Sequence, residues 1–173
     1  TFKFEVTLVS DQANFRYYPM LYRTATGGSK VASSIPLNEI FAGKDLTITN
    51  DSAKRLDRGK KIVIGHSGKT YGYDVLIVAL GSVTNFFEVK GLREYAYGIK
   101  PLEEAQRFRD HLHRQLLADQ KPDLNYVVIG GGATGVELAG ALPGYIKHIM
   151  KRHGLTDRSF KVDVVEAAPR LMP

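Results

Sequence analysis

The spacing of apolar and polar residues changes along this chain, and each change marks an element. Residues 4–9 (Phe4-Glu5-Val6-Thr7-Leu8-Val9) alternate and then run continuously, the pattern of a strand entering a buried sheet. Residues 35–41 read as a short helix that ends at Gly43. Residues 45–49, 53–57, 61–64 and 69–71 are short segments parted by the Gly59-Lys60 and Ser67-Gly68 turns, which predicts a small antiparallel meander. It feeds residues 73–80, a continuous apolar run predicted as a buried strand and stopped by Gly81-Ser82. After Gly91 the period becomes helical. Pro101 opens a helix with Leu102, Ala105, Phe108, Leu112 and Leu116 on one stripe, and residues 118–123 read as a linker.

The most informative pattern follows. Residues 125–129 form an apolar strand, Gly130-Gly131-Gly132-Ala133-Thr134-Gly135 a glycine-rich turn, the residues through Arg152 a helix, and residues 162–166 a second strand ending in Glu166. Gly130, Gly132 and Gly135 have the G-x-G-x-x-G spacing of a dinucleotide-binding turn. The first glycine permits the tight turn, the second lets a pyrophosphate approach the backbone, and the third lets the helix lie close to the sheet. The helix N-terminus supplies N–H groups for phosphates, and Glu166 is placed to bind a ribose hydroxyl, which favours NAD over NADP. In Glu166 the pattern departs from the usual spacing: 31 positions separate it from Gly135, against about 20. A long helix and a polar turn at residues 154–158 account for the difference.

Composition narrows the function classes. The chain has 173 residues, 43% of them hydrophobic, enough for a real core. Its 24 basic and 18 acidic residues leave a charge of +6, which favours anionic partners without naming one; nucleic-acid binding has nothing else in its favour. The absence of cysteine excludes a disulfide framework and a redox-active cysteine pair within these residues. No metal site is expected from the five histidines, since His111 and His113, like His148 and His153, are off-register for sharing a helix face. The first residues carry no secretory-signal pattern, and the longest apolar run, 75–80, is far below the roughly 20 residues of a membrane helix. The chain opens inside a predicted strand and stops soon after Glu166, so it reads as a fragment.

Residues 73–82 (Tyr-Asp-Val-Leu-Ile-Val-Ala-Leu-Gly-Ser) before the linker and 127–139 after it, with Tyr18-Pro19-Met20-Leu21-Tyr22, Ser82-Val83-Thr84-Asn85-Phe86-Phe87 and Val165-Glu166-Ala167-Ala168-Pro169-Arg170, together resemble the type II NADH dehydrogenases. These are NADH:quinone oxidoreductases of the FAD-dependent pyridine nucleotide oxidoreductase superfamily. The resemblance implies an α/β, Rossmann-like fold with two dinucleotide-binding domains, incomplete here, and a small antiparallel meander. Residues 1–91 would be part of an FAD domain, 92–123 a helix and linker, and 124–173 the first half of an NAD(H) domain.

The resemblance also assigns roles. Ala79-Leu80-Gly81-Ser82 corresponds to a second FAD motif, usually Ala-Thr-Gly, with Leu80 in place of the threonine. The ribose-binding acid of the FAD site falls at Ser10 or, by a local shift, Asp11, and the Ala53 backbone meets the adenine. Gly130, Gly131, Gly132, Ala133, Thr134, Gly135 and Glu166 would hold NADH. Glu137 matches a glutamate near the nicotinamide and flavin, the expected catalytic contact; its alternative reading is a first-turn helix carboxylate favoured by the dipole. The implied cofactors are FAD and NADH. The implied partners are a quinone and a membrane surface, reached through a region outside this chain on the cytoplasmic side or in mitochondria, with room for a homodimer. The fragment alone is expected to be inactive. Alternative readings are a reductase of a ferredoxin-like protein and a non-enzymatic NADH-sensing module.

Overall fold

The computed structural model describes residues 4–118 and 123–172; most of the expected linker, residues 119–122, lies outside them. In chain order the elements are β1 (Thr7–Ser10), β2 (Asn14–Arg16), a 3-10 turn (Tyr18–Met20), α1 (Leu21–Ala25), a second 3-10 turn (Lys30–Ser33), β3 (Ser34–Pro36) and α2 (Leu37–Ile40). Then come β4 (Thr47–Asn50), β5 (Ala53–Asp57), β6 (Ile62–Gly65), β7 (Thr70–Gly72), α3 (Leu92–Tyr95), α4 (Leu102–Ala118), β8 (Asp123–Ile129), α5 (Ala133–Arg152) and β9 (Ser159–Val165). These elements gather into two compact units. One contains the residues up to Arg16 and Ser34–Gly81, the other Tyr17–Ser33 and the residues from Ser82 onward. Compactness alone thus places α1 with the residues that follow Gly81.

In the first unit β1 and β4 lie side by side in parallel, from Thr7 opposite Thr47 to Ser10 opposite Asn50. β2 pairs antiparallel with β3, and β5, β6 and β7 form the meander, with a bulge between Ala53 and Arg55. The unit turns on Asp51, buried between β4 and β5. Its carboxylate accepts the Ser67 hydroxyl at 2.5 Å, the Tyr71 hydroxyl at 2.8 Å, and the N–H groups of Ser52 and Ser67 at 2.8 and 3.1 Å. Those donors, Ser67 foremost, hold its pKa well below the usual carboxylate range, while burial and the bond to Asp51 push the Tyr71 phenol up.

Three expectations are corrected here. The segment at 45–49 is not a meander strand: as β4 it pairs in parallel with β1, because Asp51 ends the strand and turns the chain before the meander begins. The helix at 35–41 is a single turn, α2, since residues 34–36 go to β3, where Ile35 pairs with Phe15. The run 73–80 forms neither a strand nor a buried segment; Val75 and Ile77 are 82% and 84% exposed. No strand among the described residues pairs with it, and an apolar run without a ladder partner cannot satisfy its backbone in a sheet.

The second unit is a parallel strand pair with helices on one face. β8 and β9 are paired from Asp123 opposite Ser159 to Ile129 opposite Val165, and α5 makes the connection. α5 buries Leu138, Leu142, Ile146 and Ile149 along one stripe; α4 adds Ala105, Leu112 and Leu116, α1 adds Ala25, and the sheet adds Leu124 and Val128. The alternate residues Val127, Ile129 and Val165 face away from this core and are exposed. At 20 residues α5 is about 30 Å long, and with the turn at Gly154 it accounts for the wide spacing from Gly135 to Glu166. The Arg158 guanidinium donates to the Leu116 carbonyl, satisfying an orphan acceptor at the end of α4.

Ile146 is fully buried and Val127 is 52% exposed. Ile146→Ala is expected to destabilise by about 2–5 kcal/mol through the cavity it leaves. Val127→Ala should change stability by no more than about 0.5 kcal/mol. Urea midpoints at unchanged m-value measure both.

Candidate nucleotide sites

Each unit carries a parallel strand pair, and in both the sequence-predicted residues other than Ala79 to Ser82 and Glu137 collect at the carboxyl ends of the strands, where open α/β sheets bind ligands. In the second unit the glycine turn leaves β8 with Gly130 at φ +107, a conformation that side chains resist. Gly130 N–H donates to the Val165 carbonyl at 2.8 Å, tying the turn to β9. A Cβ on Gly135 would lie 1.9 Å from the Gly130 carbonyl oxygen, so only glycine lets α5 start this close to the strand. A Cβ on Gly132 would meet nothing within 4 Å. The three expected jobs (turn, open approach, close packing) therefore fall on three different glycines.

α5 begins at Ala133 with Gly132 as its extended N-cap, no side-chain cap and no acidic residue in its first turn. Its first N–H groups, at Ala133, Thr134 and Gly135, thus have neither a capping side chain nor a competing carboxylate, and with the helix dipole they suit a phosphate. This also corrects one reading of Glu137. It lies in the second turn, beyond the positions where a carboxylate gains most from the dipole. Glu137 is exposed and within electrostatic reach of Arg23 on α1; the neighbouring Tyr22 hydroxyl and, more weakly, Glu137 raise the guanidinium pKa.

Glu166 closes the site. Its carboxylate accepts the N–H of Gly131 at 2.5 Å and of Ala168 at 2.8 Å. The Ala168 and Gly131 amides hold its pKa below the ordinary glutamate range against the opposing effect of burial. The chain then folds back: Met172 N–H donates to the Gly131 carbonyl at 2.8 Å, and a Cβ on Gly131 would strike Leu171 at 2.5 Å. Gly131 is the glycine whose structural job the motif did not announce, because its partners lie 35 or more residues on.

In the first unit Ser10 ends β1 opposite Asn50, which brings Ser10 and Asp11 to the same end of the pair as Asp51 and Ala53. The Ser10 hydroxyl is engaged in a local turn, donating to the Gln12 carbonyl at 3.0 Å and accepting its N–H at 3.1 Å. Asp11 is exposed, and exposed Ala53 starts β5. Ala79, Leu80, Gly81 and Ser82 lie on the exposed segment after the meander, with Gly81 at φ +75. Ser82 accepts the Lys100 ammonium at 2.9 Å. Among the described residues no group of three or more potential ligands converges to hold a metal ion.

A parallel strand, glycine turn, helix and strand with an acid at the last carboxyl end defines a dinucleotide-binding α/β protein. Residues 1–173 match the family model described as pyridine nucleotide-disulphide oxidoreductase, and the chain belongs to that family. It is 27% identical over 176 residues to a type II NADH:quinone oxidoreductase of Staphylococcus haemolyticus, covering 98% of this chain and 44% of that protein. The chain thus spans less than half the length of the curated relatives it matches. Among solved structures, an NDH2 from Plasmodium falciparum in complex with NADH superposes with a TM-score of 0.84 at 24% identity, over 99% of this chain and 38% of the other. A ferredoxin reductase from Rhodopseudomonas palustris gives 0.67 at 22%, over 97% and 37%. The α/β, two-nucleotide fold with its small antiparallel sheets, expected from the sequence, stands.

Two outcomes are expected. Gly135→Ala should push α5 off the strand and cost about 1–3 kcal/mol of stability, seen as a lower denaturation midpoint. Because the folded pKa of Glu166 is depressed, its contribution is fully present above the ordinary carboxylate range and lost as pH falls through the lower folded value. Glu166→Gln should therefore flatten the acid limb of the stability profile and leave its alkaline limb unchanged.

Proposed function

We propose that this chain is the part of an FAD-dependent NADH dehydrogenase that holds the reductant and part of the flavin nucleotide, in a protein that passes electrons on to a quinone. The observation that carries this reading is the pair of parallel strand ends, one per unit, each bearing residues expected from the sequence to bind a nucleotide. The glycine turn and Glu166 fit NADH: an open Gly132, an uncapped helix start, and a carboxylate at the ribose position. Exposed Asp11, with the Ser10 hydroxyl already engaged, takes the ribose of FAD, and the start of β5 at Ala53 takes its adenine. Ala79 to Ser82 supply the backbone turn beside the flavin nucleotide, and residues 1–91 and 124–173 belong to the FAD and NADH domains.

The chemistry supplied by bound FAD would be acceptance of a hydride from NADH and transfer of electrons to the acceptor, while the residues of this chain would contribute position and electrostatics. Glu137, on the exposed side of α5 just past the phosphate-binding turn, is the residue we assign to the contact of nicotinamide with flavin. Arg23 on α1 lies within electrostatic reach of that carboxylate. The name of the staphylococcal relatives supports a quinone acceptor, and with it peripheral attachment on the cytoplasmic or mitochondrial face through residues outside this chain. No helix among the described residues is long and apolar enough to cross a membrane.

The full protein carrying this chain should show flavin absorbance and oxidise NADH with a soluble quinone faster than with a small iron–sulfur protein. The opposite order would favour the ferredoxin-type reading, and NADH binding without turnover would favour a sensing module. Glu166→Arg should weaken NADH binding and relax discrimination against NADPH. An unchanged preference, read from the ratio of kcat/KM values, would remove Glu166 from the ribose site.

A further inference from the structure

Away from the glycine turn, α4 and α5 each present an arginine and a histidine four residues apart: Arg109 and His113 on one, His148 and Arg152 on the other. Residues four apart share a helix face, and all four line one groove of about 470 Å³ within the second unit. The loop after α1 and the ring of Tyr145 close one side. Gly27 sits there at φ +87, where a Cβ would come within 2.6 Å of Tyr145 Cε2, so the backbone lies flat on the ring. Burial pushes the Tyr145 phenol up, and the nearby Arg109 charge works against it, so the hydroxyl and the guanidinium share the groove's field.

Among the described residues, no aspartate or glutamate lines the groove. Asp110, next in the chain, pairs through Oδ1 with both Nε and Nη2 of Arg109 at 2.9 Å and acts on Tyr145 as well, so it offsets the Arg109 charge and leaves Nη1 as the guanidinium nitrogen outside that pair. His113 Nε2 lies 3.2 Å from His153 Nε2, which fixes the His113 ring against the end of α5. Helix-dipole compensation explains Arg152 near the C-terminus of α5, but Arg109 lies mid-helix in α4 and still converges on the same space. The Arg152 guanidinium, the outer edge of Arg109 and the imidazole and phenol groups around one concavity match the oxygens of a phosphate. The volume lies in the range for a small organic ligand. Gly144, at the near end of the groove, is roughly 16 Å along α5 from its N-terminus, so this is not the dinucleotide turn.

We propose that this groove binds the phosphate group of a phosphorylated small molecule or of an anionic lipid headgroup, as a second anion site separate from the nucleotide turn. The test uses the full-length protein with excess NAD+ to occupy the turn, and follows the His113 and His148 ring resonances on titration with pyrophosphate. In parallel, it is sedimented with phosphatidylcholine vesicles with and without phosphatidic acid. Saturable shifts are expected, with affinity about tenfold weaker in Arg109→Gln/Arg152→Gln. Lys147→Gln/Lys151→Gln, which removes the same charge outside the groove, should leave the affinity unchanged. Arginine-dependent sedimentation specific to phosphatidic acid would assign a lipid headgroup; shifts with pyrophosphate but no such sedimentation would assign a soluble phosphate. Unsaturable shifts, or equal weakening in both double variants at unchanged thermal midpoint, would overturn the proposal. Should the arginine variant lower that midpoint, His148→Gln alone decides: unchanged pyrophosphate affinity overturns the site, and weakened affinity upholds it.

Discussion

The carboxylate of Glu166 reaching back to the amide of Gly131 is the contact on which the second unit's site depends. A run of three glycines has little conformational preference of its own, and its ordering is an entropic cost that something must offset. Here the first two glycines of the turn are pinned to the end of β9: Gly130 through the Val165 carbonyl and Gly131 through Glu166, the residue after the strand. The strand that leads into the proposed ribose acid therefore also shapes the glycine turn proposed to hold the phosphates. Specificity and loop geometry are one construction, and a change at Glu166 is felt by both.

The first unit solves a comparable problem with a different residue. Between a parallel pair and an antiparallel meander the chain must turn without leaving unpaired backbone groups, and Asp51 supplies acceptors for four donors there. A Cβ on Gly65 would fall 1.8 Å from Asp51 Oδ2, so the neighbouring strand is glycine where the carboxylate needs room. The start of β5, and with it Ala53, is set by this junction.

Local periodicity made the glycine turn, α4 and α5 legible before any coordinates. The stripe of Leu102 to Leu116 and the apolar run into Gly130 are statements about neighbours in sequence, and local geometry follows from them. What escaped is long-range. Asp51 meets Tyr71 across 20 residues, His113 meets His153 across 40, and Glu137 faces Arg23 from another helix. No spacing rule reports such pairs. The run 73–80 failed for a related reason: apolar character specifies that a segment prefers burial, not which strand will pair with it.

The one-sided sheet has a consequence for handling the molecule. β8 and β9 have helices on one face only, while Val127, Ile129 and Val165 form an apolar surface on the other, and both strands are edges among the described residues. Exposed edges beside exposed β-branched residues are templates for strand addition between chains. Produced as these 173 residues alone, the polypeptide is expected to self-associate as its concentration rises, and its solubility would report how much of that surface is covered in a longer chain.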